Sequence, residues 1–204
     1  IWVRATDVTG ENITTSSRVE VDTTPPTGGV LINGGDVAAP DQDVTLSFNA
    51  TDHYGVARVM IDDYPDFPDG YWRPYTRSVP WHLPWGEGTK AVYAKFMDRN
   101  GWVSKVVSDT ILLDTNPPVG SIVIDDGAEF TNSTGVTLTL VATDLTGVSD
   151  MLIGEAPDLS FAKWRPFQQS VKLDLPPGDG PRYVFAAFRD PLGHVSVPVQ
   201  DSII

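Results

Sequence analysis

The chain has 204 residues, 41% of them hydrophobic and 10% aromatic, which suits folded domains and argues against a disordered segment. Its net charge of −13 excludes nucleic acid and anionic membrane surfaces as partners, since both call for a basic face. There is no cysteine, so disulfides and thiolate–metal chemistry are ruled out, and no apolar run reaches membrane-spanning length.

The first block, "IWVRATDVTGE" (Ile1–Glu11), alternates Ile1, Val3 and Ala5 against polar neighbours and reaches a turn at "DVTG" (Asp7–Gly10). Ile1–Asp22 is therefore predicted to be a two-stranded hairpin. An isolated hairpin is marginal in water, so it is expected to be ordered only by packing against residues of an upstream copy or a neighbouring chain.

"VDTTPP" (Val21–Pro26) follows, and it returns as "LDTNPP" (Leu113–Pro118) with Asp22 and Asp114 92 positions apart. The same offset carries "ATDHYGV" (Ala50–Val56) onto "ATDLTGV" (Ala142–Val148), and "WRPY" (Trp72–Tyr75) onto "WRPF" (Trp164–Phe167). It also carries "LPWGEG" (Leu83–Gly88) onto "LPPGDG" (Leu175–Gly180), and "VYAKFMDRNGWVS" (Val92–Ser104) onto "VFAAFRDPLGHVS" (Val184–Ser196). No insertion or deletion is needed, which marks an internal repeat. The Asp-Thr-x-Pro-Pro box is punctuation between copies. The leading block matches the end of a copy, so the expected organisation is a hairpin of a preceding repeat over 1–22 and full repeats over 23–114 and 115–204. The chain reads as an excerpt from a longer array.

Within each copy the period is two. Val44, Leu46, Phe48 and Ala50 face one way, as do Val136, Leu138, Leu140 and Ala142. Val92, Ala94 and Phe96 pair with Val184, Ala186 and Phe188 in the same manner. No segment has a persuasive helical period, and 18 Gly with 17 Pro punctuate the chain closely. The predicted fold is all-β, with about seven short strands per copy arranged as a sandwich. Each copy holds its own apolar strands and is expected to fold by itself.

"DTTPPTG" opening a unit, "ATDxxGV" after its second strand and "FxDxxGxxS" near its end resemble the bacterial immunoglobulin-like (fibronectin-III-like) tandem repeats of secreted and cell-surface proteins. The usual "D-x-x-G-N-x-S" ending of that family is altered here to "DRNGWVS" and "DPLGHVS". The resemblance implies tandem immunoglobulin-like sandwiches placed extracellularly, in adhesins, filaments, surface layers, cell walls or accessory regions of secreted enzymes.

No catalytic constellation stands out, and no catalytic residue is assigned. The three histidines, His53, His82 and His194, do not recur between copies, and neither H-E-x-x-H nor G-x-S-x-G occurs. Two other candidates remain. Trp81 and Trp85 become Leu173 and Pro177 in the second copy, so the fold does not demand aromatics there. With Tyr71 they could stack on a glycan, pack structurally, or meet a neighbouring repeat or subunit.

The recurring aspartates form the second candidate. In an immunoglobulin-like sandwich, the loops after the second and sixth strands share a pole with the entering linker. That pole would gather Asp22, Asp52 and Asp98 in one copy and Asp114, Asp144 and Asp190 in the other. Such triads could hold Ca²⁺, or each Asp could cap its own turn. Three N-x-S/T sequons, at Asn12, Asn49 and Asn132, could carry sugar, with Asn49 predicted to face outward. Two functional expectations follow: a non-catalytic stalk of stacked modules, or a carbohydrate-binding accessory region.

Overall fold

The computed structural model describes residues 2–6, 9, 12–16 and 21–204, with only the backbone described for 2–6 and 12–16. The regular structure of the described residues is almost entirely strand. Two compact units are recognised, one of residues 1–30, 48–77 and 93–108, the other of residues 31–47, 78–92 and 109–204.

The first unit opens with β1 (Trp2–Thr6) and β2 (Asn12–Ser16), paired antiparallel from Trp2↔Ser16 to Thr6↔Asn12. This is the predicted hairpin; the side chains of Ile1, Val3 and Ala5 lie outside the described residues.

The first full copy continues through β3 (Val30–Ile32), β4 (Ala38–Ala39), β5 (Asp43–Phe48), β6 (Val56–Asp62), β7 (Arg73–Pro74), β8 (Ser78–His82), β9 (Gly88–Asp98) and β10 (Val107–Leu113). In the first unit β6 pairs antiparallel with β7 and with β9, with a bulge between Val56 and Arg58. Phe96 on β9 is fully buried and meets the rings of Phe48 and Tyr75 edge-on at 5.9 and 6.0 Å.

The second unit contains the antiparallel pair β5–β8 and the parallel contact of β10 with β4. It also contains the whole second copy: β11 (Val119–Ile124), a 3-10 turn (Asp125–Gly127), β12 (Gly135–Thr143), β13 (Asp150–Gly154), β14 (Arg165–Pro166), β15 (Ser170–Asp174), β16 (Arg182–Arg189) and β17 (Val199–Ile203). Its strands form two sheets, ordered β11-β12-β15 and β14-β13-β16-β17.

The inward faces of these two sheets build one core. Ile122, Ile124, Val136, Leu138, Leu140, Met151, Val171, Val184, Ala186, Phe188 and Ile203 cluster there, and Phe167 packs edge-on to Phe188 at 5.8 Å. Every member belongs to residues 115–204. The alternation read from sequence matches the observed burial: Val136, Leu138 and Leu140 on β12 are at most 3% exposed, and the threonines between them are exposed. On β5, Val44, Leu46 and Phe48 repeat the pattern.

The Asp-x-x-Gly loops are tight for a specific reason. Gly101 and Gly193 stand at φ +94° and +102°, a region that residues with a Cβ rarely occupy. Each loop returns the chain so that Met97 bridges Val103, and Arg189 bridges Val195. The last serine of each motif then closes the turn. Ser104 Oγ accepts from the Phe96 amide and Ser196 Oγ from the Phe188 amide, each at 2.9 Å.

Candidate carboxylate sites at the entry pole

In the first unit, ligand atoms of Asp22, Asp52 and Asp98 lie within 4.8 Å of one another. Asp22 comes from the entering segment, Asp52 from the loop before β6, and Asp98 from the end of β9. Each carboxylate also organises its own backbone. Asp22 Oδ1 accepts from the Thr24 amide (3.1 Å) and hydroxyl (3.0 Å), while Oδ2 accepts from Asn100 Nδ2 at 2.9 Å. Asp52 Oδ1 accepts from the Tyr54 amide at 2.8 Å. Asp98 Oδ1 accepts from the amides of Asn100 (2.8 Å) and Trp102 (2.9 Å).

Both expected roles, turn cap and converging carboxylate, are therefore present in the same residues. The Asn100 amide first, and the Thr24 amide after it, hold the Asp22 carboxyl below its ordinary range. The indole of Trp102 donates to the Asp22 carbonyl at 3.0 Å, which ties the entering segment to the same loop.

The second copy is built differently around the same backbone. There the ligand atoms within 4.8 Å belong to Asp114, Asp190 and His194. Asp144 joins through a shared donor, since the Thr146 amide reaches both Asp114 Oδ2 (3.1 Å) and Asp144 Oδ1 (2.9 Å). Burial pushes the Asp114 carboxyl upward, but hydrogen bonds from Thr146 and Asn116 outweigh it and the net shift is downward. Asp190 is 2% exposed. Its Oδ1 takes the Gly193 and His194 amides at 2.6 and 2.8 Å, and its Oδ2 takes His194 Nδ1 at 2.7 Å.

His194 is the residue that sequence comparison set aside, because it stands opposite Trp102 and has no counterpart. Its presence four positions after an Asp, across a turn closed by Gly193, was the available signal.

The aromatic candidates occupy separate surroundings. Tyr71 is exposed in the first unit, with the Arg73 guanidinium 4.7 Å from its ring centre. In the second unit Trp81 is half-buried on β8 opposite Val44. Trp85 is 89% exposed at the edge of a cleft of about 310 Å³ that is also lined by Gln42, Glu87, Leu113, Thr115 and Asn116. Beside it Glu87 accepts from both the amide and the hydroxyl of Thr115, so it grips the Asp-Thr-Asn-Pro-Pro box directly. The recurring Trp72 and Trp164 are half-buried, and Trp164 lies 4.3 Å beneath the Arg189 guanidinium. Asn49 is exposed as expected, and its Oδ1 accepts from the Gly29 amide.

A second set of recurring aspartates escaped the sequence reading. Asp109 and Asp201, in "DTIL" and "DSII", accept from the amides of Ile32 and Ile124, each at 2.8 Å. They serve strand edges and take no part in the entry-pole clusters.

No family model matches this chain, and no curated protein is similar to it in sequence. Solved structures do resemble it. A structure of a 1.5-MDa bacterial ice-binding adhesin, described for its host cell surface retention, aligns at TM-score 0.52 and 13% identity, over 98% of this chain and 71% of that one. The fibronectin(III)-like modules of Clostridium thermocellum CbhA align at TM-score 0.42 and 12% identity, over 86% and 93% of the two chains. The D00-D0 domain of intimin gives TM-score 0.41 and 14% identity, over 87% and 98%. At 13% identity the likeness to the adhesin structure shows a shared β-sandwich fold and nothing finer.

Proposed function

We propose that this chain is a non-catalytic segment of an extracellular stalk, in which repeats over 23–114 and 115–204 act as stacked modules. The observation that carries this is the core of the second copy, drawn wholly from residues 115–204. A module with a self-contained core can be strung in series, and the array then gains length with each copy. The Pro-Pro pair limits the backbone freedom of the linker, and the grip of Glu87 on Thr115 limits it further. The work of such a segment is reach and stiffness, with neighbouring repeats as its immediate partners.

Single-molecule stretching of the whole chain tests this. Two unfolding steps of similar size are expected, each releasing about 300 Å of chain, the extended length of one repeat. A single step, or steps that do not match the repeat length, would reject the modular stalk.

The exposure of Trp85 favours a second reading, a carbohydrate-binding accessory region. Polysaccharide pull-down lost on combined Trp81→Ala and Trp85→Ala substitution would support it. Absence of binding to any polysaccharide would remove it.

A further inference from the structure

At the exit pole of the first copy, Glu87 takes both the amide and the hydroxyl of Thr115. One residue earlier, the Asp114 amide donates to the Ala39 carbonyl at 3.1 Å, and before it the Leu112 amide donates to the Val37 carbonyl at 3.1 Å. The Asp-Thr-Asn-Pro-Pro box is thus hydrogen-bonded to β4 on one side and to the loop before β9 on the other.

Shifted by the repeat offset, the same receiving groups recur in the second copy. Asp179 stands at the position of Glu87, and Thr131 at that of Ala39. The loop that carries Asp179 is built alike: Arg182 donates to the Pro177 carbonyl at 3.3 Å, as Lys90 does to the Trp85 carbonyl at 3.1 Å. The Leu175 amide meets the Thr134 carbonyl at 2.7 Å, as Leu83 meets Gln42 at 2.9 Å. The Ile204 amide reaches the Glu129 carbonyl at 3.1 Å, the counterpart of Leu112 on Val37. A cleft of about 350 Å³ lies here, lined in part by Thr131, Gly178, Asp179 and Ile203. Asp179 is exposed and meets no hydrogen-bond or ion-pair partner among the described residues.

We propose that this cleft docks the Asp-Thr-x-Pro-Pro box of a further repeat, the Asp179 carboxylate receiving the threonine and the Thr131 carbonyl the aspartate amide. The occupant follows from the first copy, where an equivalent pole with matching receiving groups holds this box. The prolines suit it, since a segment with φ fixed at two positions loses little freedom on docking. Asp179 is one methylene shorter than Glu87, so its hold on the threonine is the weaker of the two, and Asp179→Glu should strengthen it. The inference rests on the modular reading and deepens it, by naming the surface through which one module fixes the next.

Hydrogen exchange of the whole chain carrying Leu-Asp-Thr-Asn-Pro-Pro after Ile204 tests it, with the free hexapeptide as reference. The added threonine amide should exchange at least about fivefold more slowly than in the peptide. Asp179→Ala should return it to within about twofold of the peptide, and Asp179→Glu should slow it by about a further twofold to fivefold. Thr115 is the internal standard: Glu87→Ala should release its amide in the same way, while Asp179→Ala leaves it unchanged. Melting of the chain without the addition should shift by less than about 1 °C on Asp179→Ala, because that side chain is exposed.

Peptide-like exchange of the added threonine, or protection that survives Asp179→Ala, would overturn the proposal. So would dimerisation of the chain without the addition that depends on Asp179, which would give the cleft to a second whole copy. The stretching experiment judges the stalk separately: two repeat-sized steps with a freely exchanging added threonine would keep the stalk and remove this docking.

Discussion

Replacing Gly120 by alanine would place a Cβ 2.4 Å from Cε2 of Phe188, 2.6 Å from the carbonyl oxygen of Val141 and 2.8 Å from Cδ2 of the same ring. Gly120 is not at a positive φ, so its lack of a side chain is a matter of space and not of backbone conformation. Phe188 is fully buried and held edge-on by Phe167, so the ring cannot swing away without opening the core. Overpacking of this kind costs about 1–3 kcal/mol, partly offset by the roughly 0.4–1 kcal/mol that alanine gains from a stiffer unfolded chain. A net loss of about 1–2 kcal/mol is expected.

Phe188→Ala removes both ring contacts, two of the three, and costs about 3–5 kcal/mol for the lost ring. In that background Gly120→Ala meets only the Val141 oxygen, so its cost should fall by about half or more. The double-mutant cycle should then give a favourable coupling of about 0.5–1.5 kcal/mol. Urea unfolding of the four proteins at equal m-value reads this directly. A neutral Gly120→Ala, or additivity within about 0.3 kcal/mol, would refute the reasoning. The first copy supplies a control: a Cβ on Gly28 would meet the Cα of Ala50 at 2.4 Å, and no change of ring can relieve a clash with backbone.

Ser196→Ala should destabilise by about 1–3 kcal/mol in the same assay, because it removes the acceptor of the buried Phe188 amide; a loss below about 0.5 kcal/mol would show that another acceptor takes over. Residues 115–204 alone should unfold in one cooperative transition, since the buried cluster of the second copy lies wholly within them among the described residues; a broad melt without a transition would show that the copies share a core. Asp150 is held below its ordinary value of 3.8 first by the Ser149 hydroxyl and then by Arg189, so its contribution is present above that value and fades as pH falls through the depressed folded-state pKa. Asp150→Asn should therefore lower Tm at pH 7, with the gap to the parent closing below about pH 4; a gap constant down to pH 2 would assign the effect to packing.

The core was legible in the sequence because burial on a strand has a period of two. Val136, Leu138 and Leu140 announce their face without any knowledge of what they pack against. The repeat strengthened this, since each inward position could be read twice. The convergence of Asp22, Asp52 and Asp98 was legible as well, from the topology that brings the loops after two strands to the entering segment. Other features were hidden because their signals are single residues. Ser104 and Ser196 look like ordinary turn serines until their hydroxyls are seen on the Phe96 and Phe188 amides. The two-residue strands at Ala38–Ala39, Arg73–Pro74 and Arg165–Pro166 are too short for any alternation to register. Asp109 and Asp201 recur as faithfully as the clustered aspartates, but their partners are backbone amides distant in sequence, which spacing alone does not disclose.

His194 shows how two copies can share a backbone and differ in electrostatics. Asp98 and Asp190 end equivalent strands, both are 2% exposed, and both cap the loop that follows through Oδ1. What separates them is the side chain four positions on. An indole at 102 has one donor, and it is committed to the Asp22 carbonyl, so Asp98 Oδ2 receives no donor among the described residues. An imidazole at 194 reaches back over the turn to the carboxylate itself. The amide four positions on meets Oδ1 in both loops and the glycine before it keeps its positive φ, while the second amide on Oδ1 comes from Asn100 in one copy and from Gly193 in the other. Repeat identity therefore understates the difference between the two loops. A comparison that scores Trp102 against His194 as one mismatch among many misses that it decides whether the second oxygen of a buried carboxylate meets a side chain of its own loop.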